Sequence, residues 1–278
     1  MISVSGDAIG HEVGLFLEAI YLRYSHDFRQ YAPASIQRRI ERAIVQFNLS
    51  GVGELQQYVM RSQTQFDNVL PFLTVPVSAM FRDPAYFIVL RERVIPLLKT
   101  YSSPKIWIAG CSTGEEVYSM AILLLEEGLL DRAVIYATDI NPIALNSAMR
   151  GIFPIENLRI YTENYHKAEG RAVFSDYYHA DYDHGVFDRS LRRKIIFSDH
   201  SLATDSAFAE THFISCRNTL IYFDRALQNR AFGLFYESLC RRGFLGLGLK
   251  ETVEFSDFSS SFDPFMKAAR IFRKNGCV

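Results

Sequence analysis

The chain changes its hydrophobic rhythm near residue 104. Before that point apolar residues recur at intervals of three and four. HEVGLFLEAIYLRYSHDF places Val13, Phe16, Leu17, Ile20 and Tyr24 on one face, the spacing of an amphipathic helix. PASIQRRIERAIVQF repeats this with Ile36, Ile40, Ala43, Ile44 and Phe47, and Arg38 and Arg42 fall nearly opposite Ile40. Ser50 and Gly51 break the pattern, and VGELQQYVMR and QFDNVLPFL follow as two shorter helices. Residues 1–80 are thus expected to form an all-helical N-terminal domain. FRDPAYFIVLRERVIPLLKTY reads as a linker helix within 81–103, with Pro84 suited to a first helical turn.

From residue 104 to 278 the pattern is strand, helix, strand, helix. KIWIAG is a short apolar strand and EEVYSMAILLLEEG a helix; AVIYATDI and NPIALNSAMRG repeat the pair. That alternation predicts a parallel sheet covered by helices, an α/β domain. KIIFS, AETHFISCR and GFLGLGL are later strands. The tyrosine-rich stretch RAVFSDYYHADYDHGVFDRS interrupts the alternation and predicts a small strand excursion near 172–190.

Composition narrows the function classes. Of 278 residues, 49% are hydrophobic and 14% aromatic, enough for a sizeable core. The formal net charge of -1 gives no electrostatic reason to expect nucleic acid or an acidic membrane as partner. No apolar run approaches the ~18 residues of a membrane span. Cys111, Cys216, Cys240 and Cys277 lie far apart, without CxxC or Cys/His clustering. No zinc site or disulfide framework is indicated. The first residues lack the basic and apolar regions of a signal peptide, so a cytoplasmic protein is expected, and nothing in the sequence demands more than a monomer.

The candidate chemistry gathers at predicted strand ends. In open parallel sheets ligands bind beyond the carboxyl ends of the strands. After the first strand, Gly110, Ser112, Thr113 and Gly114 give a tight, accessible backbone. The fingerprint GxGxxG is absent, and two acids at the helix start disfavour phosphate. They suit a cationic or hydroxyl-bearing ligand; a plain strand–helix turn is the bland alternative. Asp139, ending the second strand, can accept both hydroxyls of a ribose or simply cap the next helix. Together these features suggest a nucleoside cofactor without pyrophosphate. In HFISCRNTLIYFD a buried strand ends in Arg217, Asn218 and Thr219, with Tyr222 just past them. These residues face the same crevice or serve as local loop caps. Cys111 and Cys216 near strand ends raise a cysteine hydrolase, which needs a base in reach. None of the seven histidines sits in a context that marks it as that base.

CSTGEE, ATDI, ISCRNTLIYFD and the upstream FRDP occur in order and together resemble the CheR methyltransferases, which methylate chemotaxis receptors. The resemblance runs from about Tyr21 to Arg273 and includes IQRRIERA, similar to the family's basic helix. It implies a Rossmann-like methyltransferase domain with a small antiparallel β-subdomain, preceded by the helical domain. It implies S-adenosylmethionine as cofactor, S-adenosylhomocysteine as product, and glutamate methyl esters on the receptor's cytoplasmic helical hairpin. By matched positions, Glu116 contacts the cofactor's aminoacyl end and Asp139 the ribose. Ser201 and Leu202 lie near the adenine, and Arg217 and Asn218 on the methionine side. Ser78 and Arg82 come from the linker, and Tyr222 sits near the transferred methyl. Arg38, Arg39 and Arg42 become a docking surface for acidic receptor helices, where a solvated charged face is the alternative.

A carboxylate is already a nucleophile near neutral pH, so the missing histidine base is consistent with this chemistry. Arg82 can pair bidentately with the substrate carboxylate. Several positions depart from the family pattern: Pro76, Ser78, Val117, Ser201 and the stretch Gly248 to Glu251. They keep open a catalytically weakened homologue that binds cofactor or receptor as a signalling module; an NAD-type oxidoreductase is more distant. The short β-subdomain lacks the glycine-paired loop by which some members hold a receptor's C-terminal peptide, so no such tether is expected.

Overall fold

The computed structural model describes residues 6–75 and 78–276, so Pro76 and Cys277 lie outside the described residues. The chain divides into two compact units. The first contains α1 (Gly6–Tyr24), α2 (Pro33–Gln46), α3 (Val52–Val59) and α4 (Gln63–Leu73). Proline opens α2, where its missing N–H costs nothing. Ile36, Ile40 and Ala43 form the buried stripe of α2. Ser62 caps α4, its Oγ accepting from the Gln65 amide at 3.3 Å. Tyr24 of α1 stacks on Phe66 of α4 at 4.2 Å and donates its hydroxyl to the Val59 carbonyl at 2.7 Å.

Two later segments, Ser201–Asp205 and Tyr222–Ala231, belong to this same unit. Backbone pairing explains the second. Tyr31 bridges Phe223 antiparallel, the Ala32 amide donates to the Tyr222 carbonyl, and the Asp224 amide donates to the Gln30 carbonyl, both at 2.9 Å. The helical unit is therefore completed by chain from far downstream, which helical periodicity could not reveal.

The second unit begins with the linker. It is helical but not uniform: α5 (Pro84–Val89), a π-helical turn over Leu90–Val94, and α6 (Ile95–Leu98). Asp83, at φ 57°, sets the left-handed entry into α5. The sheet follows from β1 (Lys105–Ala109), α7 (Glu115–Glu126), β2 (Val134–Asp139) and α8 (Pro142–Arg150). β3 (Ile152–Pro154) and α9 (Ile155–Lys167) lead to the hairpin β4 (Tyr178–Asp181) and β5 (His184–Phe187). Then come α10 (Arg189–Arg192), β6 (Ile195–Asp199), β7 (Thr211–Cys216), α11 (Arg225–Ser238), β8 (Leu239–Leu247), β9 (Phe262–Met266) and β10 (Ile271–Lys274).

Seven strands form one sheet in the order β6-β2-β1-β7-β8-β10-β9. The first five are parallel, while β10 runs antiparallel to both β8 and β9. The chain moves one way from β1 through β2 to β6, then returns to the other side of β1 at β7. The strand order thus reverses at β1, a topological switch point that opens a crevice at the carboxyl ends of β1 and β7. The small antiparallel sheet has the order β3-β5-β4. Its third strand, β3, comes from before α9, outside the tyrosine-rich stretch that predicted the excursion.

Candidate active site

The loop leaving β1 is shaped by two glycines. Gly110 has φ +71°, and a Cβ there would lie 2.6 Å from Thr219 Oγ1; Gly114 has φ +97°, and a Cβ would lie 2.8 Å from Ala148 Cβ. A side chain at either position would be both strained and obstructed. The amides of Gly110 and Cys111 both donate to the Thr138 carbonyl, at 2.8 and 2.9 Å. This fastens the loop to the end of β2. Cys111 is 2% exposed, and burial pushes its thiol well above the ordinary cysteine range. Cys216 is equally buried and shifted the same way by the same cause. Neither has the thiolate character of a nucleophile.

Asp139 closes the loop from the side. Its Oδ2 accepts from the Ser112 amide at 2.8 Å and its Oδ1 from the Asn141 amide at 2.9 Å. It does not cap α8. Asn141 does, with Oδ1 accepting from the amides of Ile143 and Ala144. Burial pushes the Asp139 carboxyl up; backbone amides oppose this, and Asp199, its register partner on β6, adds to it.

The two acids that open α7 part company. Glu115 is 6% exposed and turns inward, accepting from Thr113 Oγ1 at 2.7 Å and from the Tyr161 hydroxyl at 3.3 Å. Burial pushes its carboxyl up. Glu116 turns toward β7, with Oε1 accepting from Ser215 Oγ at 2.6 Å and Oε2 from Arg217 Nη1 at 2.9 Å. Ser215 spends its only proton on Glu116, so the Tyr86 hydroxyl, 2.8 Å away, is the donor to Ser215. Burial pushes the Tyr86 phenol up, which keeps that proton in place.

Arg217 ties these parts to the linker. Its side chain is 1% exposed. Nη2 donates to the Arg82 carbonyl at 2.9 Å and to Asp83 Oδ2 at 2.8 Å, and the guanidinium lies 4.1 Å from the Tyr86 ring centroid. Burial opposes its charge, but Glu116, Tyr86 and Asp83 outweigh that and hold it protonated. The guanidinium is a post that fixes the linker backbone at Arg82. Tyr86, Ser215 and Asp83 complete this group. Sequence reasoning singled out none of them. The signal was there for Ser215 and Tyr86, since each is a hydroxyl within or beside a recognised motif.

The other candidates divide between the units. Ser78, Arg82, Gly110, Glu116, Asp139, Arg217 and Asn218 belong to the second; Arg38, Arg39, Arg42, Ser201, Leu202 and Tyr222 belong to the first. Ser201 and Leu202 sit in a turn where the Ser201 amide donates to Asp205 Oδ2 at 2.9 Å. Arg38 and Arg42 are exposed one turn apart on α2. Arg39 is not part of that face. It is 4% exposed, donates to the Leu73 carbonyl at 2.6 Å and to Ser35 Oγ at 3.1 Å, and stacks 4.3 Å from the Tyr222 ring centroid. A guanidinium engaged this way cannot also present itself to a partner helix.

Family comparison settles the class. The all-α domain of CheR methyltransferases matches residues 11–74 and their SAM-binding domain matches residues 76–266. The chain belongs to the CheR methyltransferase family. Cher3 of Pseudomonas putida is 57% identical over 264 residues, covering 95% of this chain and 97% of that protein. The chemotaxis protein methyltransferase of Listeria innocua is 32% identical over 229 residues, covering 82% and 84%. Chemotaxis protein methyltransferase 1 of Vibrio cholerae is 30% identical over 245 residues, covering 82% of each. The glycopeptide N-methyltransferase MtfA complexed with sinefungin aligns at TM-score 0.37 and 9% identity, over 62% of this chain and 50% of that one. That likeness is too distant to bear on function.

As a CheR methyltransferase the chain uses S-adenosylmethionine, and its own residues fit that molecule. Two carboxylates at the crevice suit a cationic, hydroxyl-bearing ligand better than a phosphate. The glycine turn brings bare backbone to the sheet end. Ser112 Oγ is buried in the loop without a hydrogen-bond partner among the described residues, an unusual state for a buried hydroxyl outside a binding site.

Proposed function

We propose that this chain forms methyl esters on glutamate side chains of chemoreceptor cytoplasmic helices. The observation that carries the reading is the convergence of Glu116, Asp139 and the Arg217–Asn218 loop where the strand order reverses, in a chain of the CheR family. Bound S-adenosylmethionine supplies an electrophilic methyl group on a sulfonium. Glu116 is assigned to the ammonium of its amino acid end, Asp139 to the ribose, and Ser78, Gly110 and Asn218 to the surrounding contacts. Ser201 and Leu202 are assigned to the adenine from their matched positions. The substrate brings its own nucleophile, a carboxylate, so the protein need only align it and exclude water. Arg82 holds that carboxylate, its backbone already fixed by Arg217. Tyr222, assigned from the IYFD motif, steadies the carboxylate or the methyl region.

Two measurements test these roles. Calorimetry should show binding of S-adenosylmethionine and S-adenosylhomocysteine but not NAD. Arg82→Ala should lower turnover on a receptor fragment by roughly a hundredfold or more, an alignment loss, with S-adenosylhomocysteine affinity kept. Wild-type turnover in that variant would remove Arg82 from the mechanism.

A further inference from the structure

Glu251 lies four residues past β8, in the stretch Gly248–Glu251. It is 5% exposed, yet its carboxylate is crowded with donors. Oε2 accepts from the Gly248 amide at 2.7 Å and the Asn218 amide at 2.9 Å; Oε1 accepts from the Ile221 amide at 3.2 Å. The Leu220 amide contributes as well. One side chain therefore gathers the backbone of the whole loop that leaves β7. Asn218 sits at φ 58°, in the left-handed region that asparagine enters more readily than most side chains. Gly248 leaves the necessary room. A Cβ there would lie 2.7 Å from Glu251 Oε2 and 2.9 Å from the Asn218 amide.

We propose that Glu251 is a positioning residue that presets the loop Arg217–Ile221 for cofactor binding. It touches neither cofactor nor substrate. It acts through backbone amides, fixing where the side chains of Arg217 and Asn218 start. The inference rests on the cofactor assignment given above for those two residues.

Glu251→Gln keeps the size of the side chain and replaces one acceptor oxygen with an NH2 donor. That donor faces amides that are themselves donors. S-adenosylhomocysteine affinity, measured by calorimetry, should fall about tenfold or more, as expected for lost bonds to a charged acceptor. KM for S-adenosylmethionine should rise in step, and the melting temperature should drop only a few degrees. A lowered melting temperature with affinity unchanged would reduce Glu251 to a structural role and overturn the proposal. If wild type itself binds no S-adenosylhomocysteine, the cofactor assignment fails and the role in cofactor binding fails with it, whereas loss of binding in Glu251→Gln alone leaves the assignment standing. Hydrogen exchange in the cofactor-free wild type tests the inference separately and needs no variant. The Asn218 and Ile221 amides should be protected; free exchange would overturn it.

Discussion

Glu115 and Glu116 are adjacent carboxylates with opposite surroundings. Successive residues on an α-helix point about 100° apart, so one reaches Thr113 and Tyr161 and the other reaches β7. The sequence shows two acids at a helix start; which of them faces the crevice depends on how α7 is rotated on the sheet. Glu116→Ala should raise the Kd for S-adenosylmethionine about tenfold, or ~1.4 kcal/mol, whereas Cys111→Ala should leave turnover mostly intact. The reverse pattern, read by calorimetry and methyl transfer, would restore the cysteine as the active group. Arg39 shows a signal that was legible and easily passed over. It lies three residues after Ile36 and four before Ala43, so its helical phase puts it on the buried face. Grouping it with Arg38 and Arg42 by charge type hides that phase.

At the scale of elements, α7 connects the loop leaving β1 to the unit's second polar cluster. At its far end Glu126 accepts from Arg91 at 2.6 Å, from the Tyr177 hydroxyl and Arg171 amide at 2.9 Å, and from the Tyr165 hydroxyl. Arg91 reaches Glu126 from the π-helical turn of the linker. At the near end, Glu115 makes the helix start sensitive to pH. Burial raises its folded-state pKa above the ordinary 4.5. The folded chain therefore holds this proton more tightly than the unfolded chain does. Above the folded pKa the buried charge costs stability; as pH falls through that pKa the cost is relieved, and below 4.5 it is gone. Glu115→Gln should accordingly gain stability over wild type at pH 8, with the gain shrinking toward pH 4. Melting temperatures across that range check it, and a constant difference would contradict it. Most elements were readable from periodicity, including β1, β2 and α7. The π turn and β3 were not, because a single wide turn leaves the apolar pattern intact and a three-residue strand is too short to alternate.

At the scale of the whole chain, the two units were unequally legible in the sequence. The motifs of the second unit were legible because chemistry at strand ends constrains residue type. The make-up of the first was only partly so, since Tyr222–Ala231 joins it through backbone pairing that leaves no mark on side-chain pattern, and the Arg230 guanidinium of that segment donates to the Ala203 and Asp205 carbonyls. Docking is proposed to belong to the exposed Arg38 and Arg42 of α2. Reversing both charges should weaken binding of a chemoreceptor fragment, by roughly 1 kcal/mol or more and more strongly at low salt. Affinity for S-adenosylhomocysteine should not change. Unaltered fragment binding would leave the two arginines as a solvated face. The most direct test of the central claim is mass spectrometry of a chemoreceptor cytoplasmic fragment incubated with this protein and S-adenosylmethionine. The account predicts methyl groups on glutamate residues that mild alkali removes. Methyl groups that survive alkali, or none at all from protein that binds the cofactor, would contradict it.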